Sequence, residues 1–171
     1  ALPPETGPAA APTPAPTPLP LLMGPGYDTL RALAAALNEE MAHAVAGTQA
    51  LKASGRPMRG NMPGVQMFAR RTESFRTNVE KYRSEPFDVV GTVAMMRSRA
   101  GMLSRRMRLS PALAHTWPDW DAALDILDRM QKLLAGEKVT VPPPHVPQSP
   151  PPAPAPAPTP AATPAPSPAP R

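Results

Sequence analysis

Proline is distributed so unevenly along this chain that it marks where a core can form. Of the 29 prolines among 171 residues, 24 fall outside residues 26–138. Proline removes a backbone donor and biases the preceding residue away from helix. Residues 1–25 and 139–171, where it alternates with Ala and Thr, are therefore expected to be stiff, solvated, disordered tails of polyproline-II character. The later tail, fully extended, reaches about 90 Å at ~3.1 Å per residue. A spacer role follows. The P-x-x-P steps are also a docking pattern for proline-reading domains, but no charge accompanies them before Arg171.

What remains, residues 26–138, suffices for one modest core. Four stretches within it carry helical periodicity, expected at about 28–54, 63–83, 86–108 and 111–135. The first has its apolar line at Leu30, Leu33, Leu37, Met41, Val45, Thr48 and Leu51, flanked by alanines that allow close approach of a neighbour. The second, with Asn61 as cap, repeats every three or four residues at Val65, Phe68, Thr72, Phe75, Val79 and Tyr82. The third, opened by Ser84 and Pro86, does the same at Val89, Val93, Met96, Ala100, Leu103 and Met107. These two seams are expected to form an antiparallel hairpin. The last begins with a short turn from Ser110-Pro111 to His115. Thr116 and Asp119 then resemble a capping box, followed by a line at Trp120, Leu124, Leu127, Met130 and Leu134. The expected fold is all-α: a four-helix up-and-down bundle between Pro/Ala-rich tails, with a kink in the long first helix at Gly47.

The chain has no cysteine, which excludes disulfides, thiolate metal sites and thiol catalysis. It also lacks a phosphate loop, a nucleophile elbow and a zinc-protease signature, so it is read as non-catalytic and without a cofactor. The expected location is the periplasm or cell envelope, because the chain starts at Ala1 on a low-complexity tract, as a processed exported product would.

Charge supplies the main functional clue. The formal net charge is +5, yet residues 52–108 alone carry 13 basic and 4 acidic side chains. Arg70, Arg71, Arg97, Arg99, Arg105, Arg106 and Arg108 are the candidate surface for an anionic envelope component, protein partner or membrane surface, since the guanidinium fork suits phosphate and carboxylate. Nucleic acid is not expected, for want of any groove-reading or stacking motif. Trp117 is a candidate partner anchor or a staple on the bundle end.

Two metal readings also arise. Met58, Met62 and Met67 form a candidate exposed thioether trio for Cu(I), with His43 and His115 as auxiliary donors. Glu40 and His43 form a Glu-x-x-His step like those of di-iron bundles, but no second copy exists. Its proximity to Met41 places His43 toward solvent. A third class of function is an oligomeric module that associates through its seams.

Overall fold

The computed structural model describes residues 11–56, 62–152 and 154–160. It is an all-α bundle of four helices, with no strand among the described residues: α1 (Gly26–Ala53), α2 (Met62–Glu80), α3 (Val89–Met107) and α4 (Trp117–Leu134). Short 3-10 turns precede α1 (Pro20–Met23) and α4 (Pro111–Thr116). No helix is long and apolar enough to cross a membrane.

The helices form where apolar spacing demands, and every seam residue expected for α2 and α3 is buried. In α1 the expected line is buried except for Val45, which is partly covered. In α4 the buried stripe is rotated from the expected one. Ala123, Ile126 and Leu133 join Trp120, Leu127 and Met130 inside, while Leu124 and Leu134 sit at the margin. The seams are consumed within the single chain.

The expected α2–α3 hairpin needs correction. Helix α1 packs against α2 and α4, and α3 against α4, whereas α2 and α3 scarcely touch. Both seams face the shared core instead of each other, as the ring of Phe68 on α2, 6.1 Å from that of Trp120 on α4, illustrates. The connection is also longer than a tight turn. Phe87 fills the corner between Phe75 and Tyr82, with edge-on ring centroids 6.0 and 5.9 Å away. Asp88, rather than Ser84, then caps α3 by accepting the Gly91 N–H at 2.9 Å. A Cβ at Gly91 would lie 2.2 Å from the Asp88 carboxylate, so a larger residue there would have to displace the capping side chain. The expected Asn61 cap lies outside the described residues.

Helix α1 runs unbroken through Gly47, whose role is close approach. A Cβ there would lie 2.9 Å from Thr116 Cγ2, and the Gly47 carbonyl is 3.0 Å from His115 Nε2. Thr116 makes no capping bond to α4; its hydroxyl donates to the Leu113 carbonyl at 2.8 Å. The capping box is therefore not formed, and Asp119 is free for another role.

The folded unit extends past both expected boundaries. On the N-terminal side Leu22 is fully buried, and the Leu19 N–H donates to the Tyr82 hydroxyl at 2.8 Å. The Tyr27 hydroxyl in turn reaches the carbonyls of Val79 and Glu80, both at 2.9 Å. On the C-terminal side, Val139 packs on the core, and Arg129 donates to the backbone carbonyl and hydroxyl of Thr140 at 2.8 and 3.0 Å. Residues 141–145 then lie along a trough lined by Ala32, Ala35 and Ala36 of α1 and Ala122 of α4. The neighbour that the α1 alanines admit is this proline-rich segment.

Candidate functional site

Two polar features stand out on the bundle. The first follows from the separation of α2 and α3. Where two helices do not meet, a groove opens, here about 380 Å³, between the first half of α2 and the last half of α3. Phe68 and Leu103 form its floor, Met67 and Met102 its walls, and Arg71, Arg99 and Arg106 its rim. An adjoining depression adds Met95 and Arg105. Met67 and Met95 are more than half exposed. Among the described residues no carboxylate lies within ion-pairing distance of Arg71, Arg99, Arg105 or Arg106; Arg71 instead points Nη1 at the Met95 sulfur, 3.5 Å away.

The other candidate cations are placed differently. Arg97 pairs with Asp128 and Arg108 with Asp121, so α4 neutralises both. Arg108 also lies over the Trp117 ring at 5.4 Å, and the Trp117 indole N–H donates to the Met107 carbonyl at 3.3 Å. Trp117 is thus half-buried and engaged at the bundle end. Arg70 faces a separate hollow between α1 and α2, beside Asn38 and Glu73. Two of the three candidate methionine ligands are described, and they differ in exposure. Met62 is buried and Met67 exposed, while Met58 lies outside the described residues.

The second feature was not foreseen as a site. Glu40 and His43 from α1, Asp119 from the first turn of α4 and His145 from the proline-rich segment each offer a donor atom, all within 4.8 Å of one another. His145 Nδ1 lies 2.7 Å from Glu40 Oε2. Its Nε2 lies 3.2 Å from Asp119 Oδ1, within ion-pairing distance, but neither atom makes a hydrogen bond. His43 Nδ1 is 3.8 Å from Glu40 Oε2 and is likewise buried without a hydrogen bond. Glu40 is 5% and Asp119 2% exposed. Burial pushes the Asp119 carboxyl up to about 6; His145, His43 and His115 oppose that rise and Glu40 adds to it.

The expectation that His43 faces solvent is therefore wrong. The C-terminal segment partly covers its ring, leaving the side chain 23% exposed, and His145 packs edge-on to it at 6.0 Å between centroids. One signal of this was legible: His145 is the only titratable side chain between Lys138 and Arg171.

The chain matches no family model, no curated protein and no solved structure.

Proposed function

We propose that this protein is a non-catalytic binding bundle that takes an acidic amphipathic helix of a partner protein into the α2–α3 groove. The observation that carries this reading is the set of unpaired arginines around an apolar, methionine-walled floor. Arginine left without a carboxylate in its own chain is available to one from outside, and its fork favours that contact. Methionine adapts to varied apolar surfaces. The α3 side of the groove, residues 95–106, is about 17 Å long at ~1.5 Å per residue, matching some three turns of a docked helix. Proline-rich segments on either side suit a domain held away from a surface, in keeping with the proposed location in the cell envelope.

The test is titration of the full chain with an acidic amphipathic helical peptide, at low and high salt. Arg71→Ser/Arg99→Ser/Arg106→Ser is compared with Arg97→Ser, the Asp128-paired control. Binding that weakens with salt, is lost in the triple variant and survives in the control supports the reading. Equal binding by all three proteins overturns it. Capture by anionic vesicles but not by the peptide would replace the helix with a membrane surface.

A further inference from the structure

The Glu40–His43–Asp119–His145 cluster lies on the α1–α4 side of the bundle, apart from the groove, and that reading leaves it without a role. Burying two carboxylates and two imidazoles is costly unless each finds a partner. Here three atoms, His43 Nδ1, Asp119 Oδ1 and His145 Nε2, are buried with no hydrogen bond, only ion-pair distances within the cluster itself. Misplaced side chains would be expected to point apart. These converge from α1, α4 and the C-terminal segment onto one small volume.

We propose that these residues form a binding site for a divalent transition-metal ion, best matched by Zn²⁺, which clasps the proline-rich C-terminal segment to the bundle. Tetrahedral zinc with ligands at about 2.0–2.1 Å sets neighbouring donors roughly 3.3 Å apart. Of the ligands assigned below, His145 Nε2 and Asp119 Oδ1 lie 3.2 Å apart, close to that edge, and the cluster's donor atoms all fall within 4.8 Å of one another. Two imidazoles with a carboxylate are a borderline donor set. Calcium and magnesium prefer oxygen shells, and Cu(I) prefers sulfur. The ion would also bring two ionised carboxylates to neutrality inside the fold.

Roles follow from the hydrogen bonding. An ionised Glu40 can only accept, so its contact with His145 Nδ1 requires the proton on that nitrogen. That tautomer leaves the lone pair on Nε2, on the Asp119 side, free to bind the metal. Glu40 is thus the positioning carboxylate of a carboxylate–histidine–metal arrangement, while His43, Asp119 and His145 are the ligands. His115 does not share the cluster: its Nε2 is engaged with the Gly47 carbonyl.

The experiment uses the full chain, stripped with chelator and titrated with Zn²⁺ by calorimetry, while NMR follows the histidine rings. The expected result is one ion bound with micromolar affinity or better, with His43 and His145 shifting together and His115 unmoved. His145→Ala lies beyond the last helix and so leaves the bundle folded. It should weaken binding on the order of 100-fold, and Glu40→Gln by roughly 10- to 100-fold. Binding only at millimolar zinc, binding unchanged in His145→Ala, or shifts centred on His115 would each overturn the proposal. It stands independently of peptide binding in the α2–α3 groove.

Discussion

His145 and Glu40 are 105 residues apart in sequence, yet the imidazole Nδ1 and carboxylate Oε2 lie 2.7 Å apart. This contact fastens a segment with no secondary structure of its own to the middle of the longest helix. The covered glutamate is one that water can no longer solvate, so the bond matters to both partners.

Replacing His145 with Ala in the metal-free chain should therefore lower stability by about 2 kcal/mol. That is the scale of a charge-assisted hydrogen bond whose loss strands a buried acceptor. Urea denaturation of the two proteins measures it. Coincident curves would mean that the segment does not hold to the bundle in solution.

Asp119 should make the metal-free protein less stable as pH rises. Its pKa is 3.8 unperturbed and about 6 in the fold. Between those values the folded state binds more protons than the unfolded state, so the contribution is fully present below pH ~4 and lost as pH rises through ~6. The loss amounts to about 3 kcal/mol at ~1.36 kcal/mol per pH unit. Glu40, His43, His115 and His145 face the same carboxyl and are common to both proteins, so a difference measurement is needed. With chelator present, wild type should lose stability relative to Asp119→Asn between pH 4.5 and 7; parallel urea midpoints across that range would refute the assignment.

Gly47→Ala should destabilise, although alanine is the better helix former. The added methyl would meet Thr116 Cγ2 at 2.9 Å and His115 Nε2 at 3.3 Å, both on a buried turn with little room to retreat. Overpacking of this kind costs ~1–3 kcal/mol, more than the 0.5–1 kcal/mol that the helix gains. A melting temperature raised by the substitution would show that the turn before α4 yields easily.

Trp120 tests the core. It is fully buried against Phe68, and its indole N–H has no acceptor. Trp120→Ala should cost about 3–5 kcal/mol. Trp120→Phe gives up volume but also removes a stranded donor that itself costs ~1–3 kcal/mol, so its net loss should stay near 1 kcal/mol. Equal losses in chemical denaturation would mean that the N–H is satisfied in solution.

The α2 and α3 seams were legible because their three- and four-residue spacing is a property of single helices. The α4 stripe was read less well, since Leu124 and Ala123 are adjacent in sequence and only the neighbouring helices decide which turns inward. The groove was half legible. The arginines could be listed, but Arg97 and Arg108 could not be separated from Arg99 and Arg106 without knowing that Asp128 and Asp121 reach only the first pair. Asp119 was misread because a Thr-x-x-Asp step looks the same whether the carboxylate caps its own helix or turns away to another segment.

The sequence by itself determined the helices, their apolar faces and the confinement of the core between proline-rich stretches, because propensity, periodicity and proline act over a few residues. Tertiary structure alone decided that α2 and α3 part to leave an arginine-rimmed groove. It alone brought Glu40, His43, Asp119 and His145 together. Such convergence depends on which helix faces meet, and on a trough of alanines just shallow enough to seat a chain that has no periodicity to announce where it will lie.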